Sequence, residues 1–357
     1  MSKIAGARAG RRAGRMYGTI AGKAGKKGEA AMAGRALVLG GGGVTGVAWE
    51  FGILTGLAEA GVDLTTADLV VGTSAGAVVA VPAASGVDLE ERYKAQLAGP
   101  GGEIAARFGP AQVLRLLWAV RGGRQPERAR ARAGRMALAA RTVPEAERRA
   151  VIESRLPVHD WPERRLLMTA VDAQSGEFAA FDKDSGVPLV DAVAASCAVP
   201  GVWPPVTING RRWIDGGVRS GTNADLAAGY ERIVIVAPAL QGFGAMTGVA
   251  RHVADLRARG AAVAVVSPDK DARRAIGRNV LDPARRAGSS TFQPLARCAA
   301  RSGVTTATAA SSRRSPAAKR ATPVIAPNPC GAGATITTRS YPAARSALVP
   351  ERMPPSM

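Results

Sequence analysis

The sequence predicts an α/β protein: three α/β/α layers around a mostly parallel central sheet, with a helical, Arg-rich insertion. Three observations carry this expectation. Short apolar runs such as "RALVLG", "ADLVVG" and "RIVIVAP" alternate with longer segments of helical spacing. Two of these runs end in glycine-containing turns that lead straight into a helix. A hydrophobic content of 46% over 357 residues suffices for a sizeable core. Strands separated by helices favour parallel pairing, because a parallel connection must cross the sheet.

Taken in order, "RALVLG" is a short buried strand that runs into glycines. "TGVAWEFGILTGLAEAG" follows as a helix, with Val47, Phe51, Leu54 and Leu57 near helical spacing and Gly61 as its stop. "ADLVVG" is the second strand, and "SAGAVVAVPAAS" is a helix beginning at once after it. Residues 99–150 differ in character. "AQVLRLLWAVRGG" is amphipathic, and residues 121–149 hold nine Arg against three Glu. This insertion reads either as a solvated helical face or as a cap where Leu side chains, Trp118 and Arg meet a lipid interface. "RRLLMTAVDAQSG" and "GEFAAFD" are the third and fourth strands, and "LVDAVAASCAVPG" is a helix closed by Pro200-Gly201. A strand ends at Asp215 in "RRWIDGG", "RIVIVAP" is another, and a helix around "VARHVADLRARG" leads to "AAVAVVSPD", the last.

The formal charge of +20 suggests a nucleic-acid binder until it is located. Residues 1–35 and 287–357 each carry +8, leaving +4 for everything between. The basicity belongs to the ends and implies no specific nucleic-acid partner for the fold. Residues 1–34 lack apolar periodicity, and in 287–357 Ala, Ser, Thr and Pro make up 42 of 71 positions. Neither segment has the apolar area to offset its ordering entropy, so both are expected to be disordered extensions of a domain at 35–286. Cys197, Cys298 and Cys330 show no metal-ligand spacing, and an odd, sparse count fits a reducing compartment. The uncharged run from Leu69 to Val87 contains three glycines and Pro82, which favours strand–turn–helix over a membrane span. The expectation is a soluble cytoplasmic protein, in contact with a membrane at most peripherally.

"LVLGGGGVTG" (37–46) admits two chemistries. Gly41, Gly43 and Gly46 fit the dinucleotide fingerprint, while the same run offers bare backbone N–H groups for an oxyanion. The cofactor reading needs an acid at the end of the second strand to hold a ribose. Asp63 precedes that strand, whose end carries Gly72-Thr73-Ser74 instead, and no Gly-Lys-Ser/Thr is present for a P-loop. Gly72-Thr73-Ser74-Ala75-Gly76 fits G-x-S-x-G between a strand and a helix, the setting of a nucleophile elbow. Gly41, Gly42 and Gly43 then serve as donors facing Ser74, and no cofactor or metal is called for.

A serine needs a base. His159 lies in a Pro-flanked loop upstream of any candidate acid. His252 gives the order Ser–Asp–His but sits inside a helical pattern. Asp215 ends an apolar strand, and Gly216-Gly217 lets its carboxylate approach another backbone. A desolvated Asp215 in direct contact with Ser74 would serve as the base without a histidine.

Three motifs thus stand in sequence: G-G-G-x-x-G at 41–46, G-T-S-A-G at 72–76 and D-G-G at 215–217. Together with "AASCAVPGVWPPVTINGRRWIDGG", they resemble the patatin-like phospholipase family over about residues 35–286. The resemblance implies a Ser74–Asp215 dyad, an oxyanion hole at Gly41, Gly42 and Gly43, and cofactor-free hydrolysis of lipid acyl esters. The supporting glycines are Gly46, Gly72, Gly76, Gly216 and Gly217. Where many members carry Lys or Arg before the last glycine of the first motif, this chain has Thr45. Three alternatives stay open: a Ser–Asp–His esterase through His252, a nucleotide-binding protein, and a non-catalytic module that binds lipid or membrane surfaces.

Overall fold

The computed structural model describes residues 32–98, 106, 110–121, 125–240, 242, 244–290 and 334–336. The expected N-terminal extension therefore lies outside the described residues up to position 31, as does most of the C-terminal tail. Ten helices and nine strands are described. β1 (Met32–Leu39) leads into α1 (Gly43–Glu59), and β2 (Leu69–Gly72) into α2 (Ala75–Ser85). Four helices precede the next strand: α3 (Leu89–Leu97), α4 (Pro110–Ala119), α5 (Pro126–Leu138) and α6 (Glu145–Arg155). β3 (Arg165–Asp172), β4 (Phe178–Phe181), α7 (Leu189–Ser196), β5 (Val206–Ile208) and β6 (Arg211–Asp215) follow. Then come β7 (Tyr230–Val236), α8 (Val249–Ala258), β8 (Ala262–Pro268), α9 (Lys270–Ile276), α10 (Arg286–Ser290) and β9 (Ala334–Ile336).

The strand path reads β5-β6-β3-β2-β1-β7-β8-β9, with β4 on β3. The central run from β3 to β8 is parallel, and antiparallel strands attach at its ends. β1 alternates along its length. Leu37 and Leu39 pack with Trp49 and Ile53 of α1, Val79 of α2 and Val193 of α7. Ala36 and Val38 pack on the opposite face with Val249, Val253 and Leu256 of α8. Period-two side chains on a strand covered on both faces make the layers. α1 is buried almost all round, from Val44 to Leu57, between α2, α3 and α10.

One detail of register positions the site. Met168 of β3 pairs with both Gly72 of β2 and Phe181 of β4, while Ala170 pairs with both Ala179 of β4 and Asp215 of β6. A strand has two edges, so β4 takes one and β2 and β6 share the other. β2 runs along the first half of that edge, and β6 runs toward it along the second. Their carboxyl ends meet head to head across Thr169.

Order extends beyond the boundaries read from sequence. β1 starts at Met32 rather than Arg35. α10 continues to Ser290, and residues 334–336 pair with the edge of β8, both inside the span expected to be unstructured. The reason for α10 is a close approach: a Cβ on Gly52 of α1 would lie 2.8 Å from the Ser290 carbonyl oxygen. Arg286 adds hydrogen bonds to Gln96 and the Ala95 carbonyl. β5 was also missed, a three-residue strand too short to show alternation.

Candidate active site

Ser74 sits between the end of β2 and the start of α2 with φ +55° and ψ −116°. A non-glycine residue there carries strain of about 1–3 kcal/mol, which surrounding contacts must offset. Two residues at the end of α7 hold both its backbone groups. The Ser74 N–H donates to Ser196 Oγ at 3.0 Å, and Cys197 Sγ donates to the Ser74 carbonyl at 3.2 Å. The turn is possible because Gly76 lets α2 abut β1; a Cβ there would lie 2.2 Å from the Leu39 carbonyl oxygen. Gly72 ends β2 against Ala77 of the same turn.

Asp215 ends β6, 5% exposed, against 8% for Ser74. Burial pushes its carboxyl up to about 6, while hydrogen bonds from the Ser74 hydroxyl and the Gly217 N–H pull it down. The Gly217 bond to Oδ1 is 2.7 Å long. Gly216 packs on Thr169, where a Cβ would clash at 2.3 Å. A buried network ties the serine turn to the Asp215 turn. Thr169 Oγ1 donates to Thr73 Oγ1 at 2.9 Å, and Asn223 Nδ2 reaches Thr73 Oγ1 at 3.1 Å and the Gly216 carbonyl at 3.2 Å. Arg219 donates to Asn223 Oδ1 at 2.7 Å and so fixes which way the amide points.

The glycine loop follows β1 and lies beside the serine. A Cβ on Gly41 would stand 3.4 Å from Ser74 Cβ. The three expected donors are not equivalent. The Gly41 N–H already donates to the Gly221 carbonyl at 2.7 Å. Gly42 and Gly43 have no such partner for their N–H groups among the described residues, and Gly43 takes φ +62°, open to glycine. Gly46 packs against Ala75 and Pro238, and its N–H donates to the Gly42 carbonyl. Thr45 is fully buried, and its N–H and Oγ1 both donate to the Val280 carbonyl, so a charged side chain would have no room there. Beneath the loop lies Glu50 of α1, wholly buried, whose Oε1 accepts from the Gly40 N–H at 2.9 Å. Burial holds its carboxyl well above the usual range, and Oε2 has no partner among the described residues.

His252 is brought to neither Ser74 nor Asp215. Its Nε2 lies 3.4 Å from Asp225 Oδ1, inside α8 on the other side of the sheet. Burial lowers its pKa, partly countered by Asp225. His159 is exposed beside the Glu153 carbonyl, in the loop before β3. No group of three or more His, Cys, Asp or Glu suited to a metal occurs among the described residues. Among the same residues no helix is long and apolar enough to cross a membrane.

Sequence reasoning missed Thr169, Ser196, Cys197, Asn223 and Glu50. Only Glu50 left a signal, as a lone acid inside the apolar run of α1.

The patatin-like phospholipase family model matches residues 37–228, more than half of the chain. The chain belongs to the patatin-like phospholipase family. That family comprises ester-hydrolysing lipid acyl hydrolases. Among solved structures, VipD from Legionella pneumophila aligns at 15% identity with a TM-score of 0.31. The alignment covers 58% of this chain and 51% of VipD, so the chain spans about half the length of that protein. No curated protein matches the sequence.

Proposed function

We propose that this patatin-like enzyme hydrolyses fatty-acyl esters of lipids through a Ser74–Asp215 dyad and an acyl-enzyme. The observation that carries the reading is the placement of Ser74 and Asp215, both buried, at the facing carboxyl ends of β2 and β6 on one edge of β3, where burial pushes the Asp215 carboxyl up to about 6. In the first step Ser74 Oγ attacks the ester carbonyl and its proton passes to Asp215. Gly42 and Gly43 offer N–H groups to the oxyanion, with Gly41 tied to Gly221 so that the loop keeps its shape. Donors aimed in this way contribute about 3 kcal/mol each to the transition state. The tetrahedral species collapses, and the leaving alcohol or lysolipid takes the proton from Asp215. Water then attacks the acyl-serine while Asp215 accepts its proton. The acid departs, and Ser74 regains its hydrogen.

A His252-dependent triad is the competing reading, and the pairing of His252 with Asp225 weighs against it. The test is labelling with a serine-directed fluorophosphonate, with hydrolysis of a medium-chain ester followed in parallel. In Ser74→Ala both should vanish, with turnover down by about 10⁴-fold or more. Folded wild-type protein that neither labels nor hydrolyses would overturn the proposal.

A further inference from the structure

We propose that the exposed face of α4 docks this enzyme on an anionic lipid bilayer, with Leu114, Leu117 and Trp118 entering the headgroup boundary. Leu114, Leu117 and Trp118 are 68%, 38% and 66% exposed, and they lie three and four residues apart on one stripe. The five exposed large apolar side chains of the described residues include these three and Leu138 at the end of α5. The rest of the described surface is nearly free of such residues, so the patch is local.

The charge around the patch has one sign. Residues 110–121 and 125–141 carry seven Arg and a single Glu, Glu127. Two of the seven serve the fold: Arg130 donates to the Gly176 carbonyl, and Arg132 caps the end of α4 at the Ala119 and Arg121 carbonyls. Arg115, Arg121, Arg128, Arg135 and Arg141 are exposed and form no ion pair among the described residues. An amphipathic helix with Trp and Leu on one stripe, flanked by Arg without acids, complements an anionic lipid surface better than a mixed-charge protein surface.

The helix is anchored next to the chemistry. Ala119 and Val120, at its end, pack with Ile214 and Val218 on either side of Asp215. The Val120 carbonyl also accepts from the Ala245 N–H at 2.8 Å. A bilayer held against α4 would thus be held at a fixed orientation to the Asp215 turn. This use of the face rests on the acyl-hydrolase reading; the docking itself does not.

The experiment uses the full chain and vesicles of phosphatidylcholine, with or without one-third phosphatidylglycerol, some bearing brominated acyl chains. The expected result is quenching of tryptophan emission by brominated lipid in anionic vesicles. It should disappear in Trp118→Phe and partly survive high salt. Leu114→Ser/Trp118→Ser should partition about tenfold more weakly, with its circular dichroism unchanged. Vesicle binding without Trp118 quenching, abolished by salt, would assign the contact to the basic chain ends and overturn the proposal. So would an absence of vesicle binding, or Trp118 emission already blue-shifted before lipid is added. Fluorophosphonate labelling, read in the same samples without lipid, separates the two claims. Quenching without labelling would leave docking in place and remove the proposed chemistry; labelling without quenching would do the reverse.

Discussion

Two fully buried carboxyl groups lie within the same core, and they have opposite surroundings. Asp215, at the end of β6, accepts from the Gly217 N–H, and the Ser74 hydroxyl beside it also favours its ionised form. Glu50, in the middle of α1, accepts one N–H from Gly40 and leaves its second oxygen without a partner among the described residues. Burial raises both, but donors hold Asp215 near 6 while Glu50 goes well above its usual range. Asp215 therefore stays closer to the ordinary carboxylate range, and Glu50 is held further from it. What separates the proposed base from the carboxyl of α1 is the number of donors aimed at it, not its depth.

The same change, carboxyl to amide, should therefore give opposite results at the two positions. Asp215→Asn is expected to lower kcat by about 10³-fold, the range for losing a general base. It should also stabilise the fold above pH 7. A native pKa of about 6 against an ordinary 3.8 corresponds to about 3 kcal/mol carried by the ionised form. Thermal unfolding at pH 8 beside esterase kinetics reads both; a variant that stayed active would dissolve the comparison.

Next in size is the pH dependence. Because the Asp215 pKa is raised on folding, its contribution to stability is full below about 3.8 and fades as pH rises through 6. Activity runs the other way, since the base must be ionised. We expect kcat/KM at pH 5 to be about a tenth of its plateau, with the limb centred near 6. A flat profile between pH 5 and 8 would remove Asp215 as the base.

Smaller effects follow. Glu50→Gln, which keeps the acceptor for Gly40, should leave kcat within about threefold, whereas Glu50→Ala should lose about 2–4 kcal/mol of stability through the cavity it leaves, the Gly40 N–H keeping its bond to the Val236 carbonyl. A collapse of activity in well-folded Glu50→Gln would mean that its charge matters after all. Smallest of all should be His252→Gln, within about twofold in kcat per folded molecule, because a group on the far face contributes no proton to the site. A large loss there would restore the histidine triad.

The turns that carry Ser74 and Asp215 were legible because each is a local pattern, strand–turn–helix and strand–turn, that a few consecutive residues encode. The residues that hold them were not. Ser196 reaches Ser74 across 122 positions and Asn223 reaches Thr73 across 150, so only the tertiary fold brings these pairs together. The glycine run gave the loop's position but not its wiring, since the Gly41 bond depends on Gly221. Composition likewise gave the fold class without the edges. α10 owes its place to the bare backbone of Gly52, and β5 and β9 are three residues each.

The head-to-head meeting of β2 and β6 on one edge of β3 makes that strand a ruler. Two rungs, Met168 opposite Gly72 and Ala170 opposite Asp215, set the gap between the Ser74 turn and Asp215. Loop lengths elsewhere do not enter the measurement. Insertions between β4 and β5 can therefore accumulate without detuning the pair. A slip of β6 by a single rung, by contrast, would turn Asp215 to the opposite face of the sheet and dismantle the proposed dyad with every side chain still present.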